Sequence, residues 1–119
     1  MTKCLICESD LEIERLHCKS CHTDYTGRFF FPPLARLGRE EQMLAEALIL
    51  HGGNLKEMTQ TLDISYPTLK KRLNDLAVAL EAKKAEDKAR IDTILDAMEK
   101  GEMLPEEGIK LIREINGEL

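Results

Sequence analysis

The chain has 119 residues, enough for about one average domain. Hydrophobic residues make up 43% and charged residues 33%, which excludes a membrane protein and an obviously disordered tail. With 17 Lys and Arg against 22 Asp and Glu, the formal net charge is −5, and an acidic chain is a poor general nucleic-acid binder. No apolar run is long enough for a transmembrane helix, and no apolar stretch follows the N-terminus as in a secretory signal, so we expect a cytoplasmic protein.

Four cysteines form two Cys-x-x-Cys pairs near the N-terminus, Cys4 with Cys7 and Cys18 with Cys21. A two-residue gap lets both sulfurs of a pair face one point, so two pairs supply the four tetrahedral thiolates that Zn²⁺ accepts. Because such a site is closed, we expect structural zinc, whose binding provides the folding energy of this small segment. Iron, a redox dithiol and disulfides are the alternatives.

The residues around these cysteines have the pattern of short strands. Residues 11–15 alternate apolar and polar side chains, and residues 25–31 are rich in aromatics, so we expect two strands. Proline at positions 32 and 33 ends the segment, because proline has no N–H and restricts the residue before it. We therefore predict a small β zinc ribbon over residues 1–31. His17 and His22 are expected to be solvated or to support the metal ligands, with replacement of a sulfur ligand as the alternative.

Three helices are predicted in residues 32–80. Apolar residues at helical spacing mark the first helix over residues 39–51, and the pair Gly52-Gly53 stops it. Asn54 is a favoured N-cap for the second helix, and Ser65 caps the third. The predicted buried stripe of the third helix consists of Leu69, Leu73, Leu76 and Leu80.

The last predicted segment, residues 81–119, is also helical. Residues 81–90 are strong helix formers without an apolar face, so one long helix and a solvated helical linker are both compatible with them. Gly101 ends the helix before it, and Pro105 opens another. We expect these helices to form an antiparallel hairpin.

Charge is unevenly distributed between the three segments. Residues 1–31 carry four basic and five acidic side chains, residues 32–80 carry six of each, and residues 81–119 carry seven and eleven. The acidity therefore lies mainly in the C-terminal segment, while the middle segment is neutral and contains the cluster Lys70-Lys71-Arg72. The net charge alone thus does not exclude DNA binding.

Residues 53–73 resemble the Fis-type DNA-binding helix-turn-helix, which has a Gly-Asn start, a Leu-Gly-Ile-Ser turn and a Thr-Leu pair in the reading helix. The matching segments here are Gly53-Asn54, Leu62-Asp63-Ile64-Ser65 and Thr68-Leu69. Asp63 stands where the turn glycine usually sits, and aspartate tolerates the left-handed conformation better than most residues.

This resemblance implies which residues contact DNA, because the N-terminal part of the reading helix enters the major groove in this docking mode. The candidate base readers are Tyr66, Thr68, Lys71 and Asn74. Lys70 and Arg72 are candidate phosphate contacts, together with Ser65 at the helix start, where backbone amides are free to bind phosphate.

A zinc ribbon followed by a helix-turn-helix in one chain is a more specific pattern than either motif alone. Residues 4–80 resemble a small prokaryotic family of unknown function that joins a zinc ribbon to such a helix-turn-helix. The matching segments are residues 15–18, 27–29, 35–37, 53–57 and 64–68. Residues 94–112 are similar to C-terminal helical hairpins that bacterial proteins use for oligomerisation. The expected fold class is mainly α, with a small N-terminal β zinc ribbon, a tri-helical helix-turn-helix and a C-terminal αα-hairpin.

These features predict a DNA-binding transcriptional regulator with a structural zinc site, which binds double-stranded DNA as a homodimer or higher oligomer. The alternative is a non-enzymatic adaptor in which the helix-turn-helix, the acidic C-terminal helices and an exposed Val78 bind a protein partner. We do not expect an enzyme, because the histidines pair with no nucleophile and no phosphate-binding glycine loop is present.

Overall fold

The computed structural model describes residues 2–118, in which two β-strands, a 3-10 turn and four α-helices follow one another. The elements are β1 (Ile13–His17), β2 (Asp24–Phe29), the 3-10 turn Pro33–Arg36, α1 (Arg39–Leu50), α2 (Leu55–Leu62), α3 (Tyr66–Glu99) and α4 (Pro105–Ile115). The predicted fold class is confirmed. No helix in the described part of the chain combines the length and apolar character needed to cross a membrane.

The two strands form an antiparallel sheet in which Ile13 pairs with Phe29 and His17 with Asp24. The register shifts just after Ile13, because the partner strand contains an irregularity around Gly27. Strand β1 begins two residues later than the alternating pattern predicts. The reason is that the backbone N–H of Leu11 is already used, since it donates to the Thr2 carbonyl at 2.8 Å beside the first cysteine turn.

Residues 33–86 form one compact unit, the helix-turn-helix unit, around an aliphatic core. Leu37, Ala45 and Leu76 are buried in one cluster, and Leu73 and Leu80 pack against it. Helices α2 and α3 each contribute one fully buried side chain, and these are Met58 and Leu69. In the predicted stripe, Leu69 and Leu76 are buried and the other two leucines are half-buried.

Helix α3 is continuous over its 34 residues, so the segment 81–90 is helical rather than a separate linker. Within the helix-turn-helix unit, the Arg36 guanidinium donates to the Lys83 carbonyl at 2.8 Å and lies 4.0 Å from the Glu86 carboxylate. Lys83 and Glu86 are also paired at 3.5 Å. These polar contacts stabilise this part of the helix, which has no apolar face to bury.

Residues 2–32 and residues 87–118 together form the second compact unit. Here the Arg90 guanidinium lies 4.5 Å from the ring centroid of Phe30, a cation–π contact. Gly108 in α4 is buried, and a Cβ atom at this position would lie 2.1 Å from Met98 Sδ, so the two helices of the hairpin pack closely only because position 108 is glycine. The predicted domain boundaries at residues 31 and 80 stay a prediction.

Candidate metal centre and nucleic-acid interface

The two cysteine pairs lie in turns with the same backbone hydrogen bonds. In the first turn, the N–H of Glu8 donates to the Cys4 carbonyl at 3.0 Å, and the N–H of Cys4 donates to the Ser9 carbonyl at 2.9 Å. The second turn repeats both bonds fourteen residues later, with His22 donating to Cys18 at 2.8 Å and Cys18 donating to Thr23 at 2.9 Å. The residue after the second cysteine of each pair has a left-handed backbone, at φ 62° for Glu8 and 60° for His22. Both residues therefore adopt the conformation that glycine adopts most easily.

Each turn also holds a hydroxyl next to its second thiol. The pKa of Cys7 lies below its ordinary value because of hydrogen bonds with the Ser9 hydroxyl and backbone and with the Cys4 thiol. The pKa of Cys21 is lowered in the same way by Thr23 and then by Cys18. In the second turn the Cys21 sulfur lies 3.1 Å from the Thr23 hydroxyl.

Sequence reasoning missed these two supporting residues, Ser9 and Thr23. A signal for them was present, since both pairs have the pattern Cys-x-x-Cys-x-Ser/Thr. A hydroxyl two residues beyond the cysteine stabilises the thiolate, which is the form that binds a metal. The lowered pKa makes the thiolate available at lower pH than for an ordinary cysteine.

The four thiols fit structural zinc. Within residues 2–118, no three or more His, Cys, Asp or Glu side chains form a group that could hold a metal, so the structure does not bring the four predicted thiols together. Cys4, Cys7, Cys18 and Cys21 are the residues that would hold the ion, and all four are free cysteines. When bound, zinc supplies a cross-link between the two turns.

His17 is engaged in the sheet next to the second turn. Its Nδ1 lies 2.6 Å from Asp24 Oδ1, and Arg15 contacts the other oxygen of the same carboxylate at 3.0 Å. The rings of His17 and His22 have their centroids 5.7 Å apart. The contact between His17 and Asp24 joins paired residues of β1 and β2, so it stabilises the strand pairing beside the metal ligands.

Residues close in sequence cap the start of α2, end it, and cap the start of α3. The side chain of Asn54 accepts from the Glu57 N–H and caps α2, as the sequence predicts. Asp63 ends α2 with φ 52° and ψ 49°, the left-handed conformation that the sequence predicts for it. Ser65 Oγ then accepts from the Thr68 N–H at 3.3 Å and donates to the Thr68 hydroxyl at 2.8 Å, so it caps α3.

All seven predicted DNA-contacting residues lie on the exposed surface at the start of α3. They are Ser65, Tyr66, Thr68, Lys70, Lys71, Arg72 and Asn74. The opposite side of the same turns holds the buried Leu69, which anchors this part of α3 in the core. Because they lie within residues 65–74, α3 itself places them together at one helix end, while their contact with DNA stays a prediction.

The cationic cluster on α3 has no acidic partner in the part of the chain that the structure describes. The side chains of Lys70, Lys71 and Arg72 form no ion pair or hydrogen bond with the described residues, and all three are exposed. Free guanidinium and ammonium groups near a helix start are groups that bind phosphate. The site is therefore suited to an extended anion such as a nucleic-acid backbone.

Two family models match adjoining segments of the chain. Residues 4–35 match the model described as DUF2089 zinc ribbon, and residues 37–83 match the one described as Domain of unknown function (DUF2089)-HTH. Together they cover most of the chain and agree with the zinc ribbon and the helix-turn-helix predicted from the sequence. No curated protein and no solved structure gives a significant match.

Proposed function

The chain belongs to the DUF2089 family, which has a zinc ribbon followed by a helix-turn-helix domain, and from this premise we propose that it is a DNA-binding transcriptional regulator. The observation that carries the proposal is the unpaired cluster Lys70-Lys71-Arg72 at the exposed start of α3. In the major groove, Tyr66, Lys71 and Asn74 would face base edges. Lys70 and Arg72 would contact phosphates.

A dimer is part of the proposal. The C-terminal hairpin, with the residue that precedes α4, carries three large apolar side chains that are about half exposed, namely Leu95 (47%), Leu104 (62%) and Ile109 (48%). Pairing of two hairpins would cover these side chains and double the number of cationic contacts. Two reading helices would then address half-sites about 34 Å apart, one turn of DNA.

The proposed role has no catalytic step. His51, the one histidine of the helix-turn-helix unit, contacts the Ala47 carbonyl through Nδ1 at 2.7 Å and the Thr61 hydroxyl through Nε2 at 3.2 Å. The first contact closes the end of α1 and the second joins it to α2, so both are structural uses of the ring. In a prokaryotic cell, gene regulation requires that the protein reside in the cytoplasm with the DNA.

The experiment is selection of bound sequences from a random duplex pool by zinc-loaded protein at low salt. We expect enrichment of a two-fold symmetric motif. The triple change of Lys70, Lys71 and Arg72 to Ala should weaken binding by at least about tenfold. It should flatten the log–log salt dependence by about 1.8 per protomer, at about 0.9 for each of the two lost phosphate contacts.

The matched control removes three other exposed cations, Lys84, Lys88 and Lys100, which lie in or just after the same helix. It loses the same charge and should retain most of the affinity and the same motif. Equal weakening by both triple variants would mean that only net charge matters, and unchanged binding by the first variant would refute the proposal.

The adaptor is the second candidate function, and Val78 favours it. Its side chain is 70% exposed on α3, six residues beyond Arg72 at the end of the cationic cluster. If no duplex is enriched at low salt and a stable protein complex is recovered instead, with its yield reduced by Val78→Asp, the adaptor function replaces DNA binding.

A further inference from the structure

The helix-turn-helix unit contains a groove between α1 and α3, with a volume of about 610 Å³. Its apolar lining consists of Met43, Leu44, Ala47, Leu62 and Leu76. Leu76 belongs to the buried core, but Met43 is 55% and Leu62 37% exposed. The groove is therefore an extension of the core that reaches the surface and is not covered by the unit's own helices.

The open walls indicate what kind of molecule fits. A drug-sized ligand is normally enclosed over 70–90% or more of its surface. An amphipathic helix, in contrast, buries one face in a groove and leaves the other in water. From Glu40 to Ala47 the α1 wall is about 10 Å long, which is two turns of a docked helix. Met43 adds an adaptable side chain of the kind found in helix-binding grooves.

The charges on the rim indicate the chemistry of that helix. Glu40, Glu41 and Asp75 line the groove together with Arg72, so carboxylates outnumber cations by two. Among residues 2–118 these four side chains form no ion pair with one another. The Oε2 atom of Glu41 is buried and accepts no hydrogen bond from the described residues. An acidic rim without cationic partners complements a basic ligand.

We propose that this groove binds a short basic amphipathic helix of a partner protein. The helix would place apolar residues at positions i, i+3 or i+4, and i+7 over the apolar lining, and Lys or Arg over the acidic rim. This inference does not rest on DNA binding. Because Arg72 belongs both to the rim and to the proposed phosphate contacts, the docked helix would lie directly beside the DNA-reading surface.

The test measures fluorescence anisotropy of a dye-labelled peptide titrated with the full-length, zinc-loaded protein without DNA. The probe is a designed peptide of about four helical turns with Leu on one face and Lys on the other. Two control peptides replace Lys by Glu, or shuffle the same residues so that Leu no longer lines one face. We expect saturable binding of the basic amphipathic peptide and much weaker binding of both controls.

Variants of the protein identify the groove as the binding site. Met43→Lys should weaken binding by about tenfold or more, because it places a cation against the apolar face of the peptide. Asp75→Lys should weaken it by about fivefold through loss and reversal of a rim charge. The matched controls are Ile49→Lys and Glu46→Lys, exposed residues of α1 outside the groove, and they should change affinity by less than about twofold.

Several results would overturn the proposal. These are no saturable binding, equal binding of the acidic peptide, or equal affinity of the Met43→Lys and Ile49→Lys proteins. If sedimentation shows that Met43→Lys dissociates a dimer while no peptide binds, the groove is an interface between two copies of this chain. If a small hydrophobic amine binds in the groove and no peptide does, the groove is a small-molecule site.

Discussion

Residues 2–32 contain no buried side chain, whereas residues 33–86 bury Leu37, Ala45, Met58, Leu69 and Leu76. In the ribbon, even the apolar side chains between the first two cysteines face water, with Leu5 87% and Ile6 94% exposed. The helix-turn-helix unit can therefore be held by burial of aliphatic surface. The ribbon has no buried side chain of its own, so besides its contacts with residues 87–118 its order depends on local turns, a two-stranded ladder and the metal.

The two regions nevertheless both contain turns with a residue in the left-handed backbone conformation. Glu8, His22 and Asp63 all have positive φ, and each lies in a tight turn next to predicted site residues. In the ribbon the turns place the thiols, and in the helix-turn-helix unit the turn places the start of α3. The same local conformation thus serves a metal-dependent and a core-dependent fold.

Zinc removal should have the largest effect and separates the two regions most clearly. Chelation of zinc, or the change Cys18→Ser, should unfold β1 and β2, because structural zinc contributes about 10–16 kcal/mol of apparent binding free energy in small domains. The buried core around Met58 and Leu69 does not depend on the metal and should persist. Two-dimensional amide NMR reports both regions at once.

The matched control is Ser20→Ala, which alters an exposed residue between the cysteines of the same turn and should leave the ribbon folded. Unchanged amide signals of β1 and β2 after complete zinc removal would show that the contrast between the two regions is wrong.

Truncation of the core should give the next largest effect, in the opposite region. Leu69 is fully buried, so Leu69→Ala should lower the free energy of unfolding of the helix-turn-helix unit by about 2–5 kcal/mol. Val78→Ala, on the same helix but 70% exposed, should change it by less than about 0.5 kcal/mol. Denaturant unfolding followed by circular dichroism measures both variants, and similar losses for the two would contradict the assigned core. Zinc stoichiometry should stay the same in both.

The smallest expected effect concerns the left-handed backbone conformation that the two regions share. At φ 52°, Asp63→Gly should be more stable than Asp63→Ala by about 1 kcal/mol, because an alanine Cβ is strained in the left-handed region. In the ribbon, where folding and metal binding are coupled, the same pair of changes at His22 should appear as a roughly fivefold difference in zinc affinity. Equal behaviour of Gly and Ala at either site would mean that the left-handed conformation is not required there.

Much of the candidate site could be predicted because it depends on short-range chemistry. Cysteine spacing predicted the ligands, and Asn54 and Ser65 predicted the starts of α2 and α3 through their capping side chains. The start of β1 was predicted two residues too early, since alternation does not reveal that Leu11 is tied to Thr2. The groove was not predicted, because its walls come from three helices that are distant in sequence and its openness depends on their packing.

The amino-acid sequence by itself thus determined the four thiols, the helix-turn-helix with its left-handed Asp63, and the cationic cluster, since each follows from neighbouring residues. Only the tertiary structure decided that α3 continues unbroken to Glu99. The residues that stabilise its polar middle, such as Arg36 on the Lys83 carbonyl, come from another part of the chain. Close packing of the hairpin at Gly108 likewise depends on Met98 in the facing helix, a contact that no local pattern specifies.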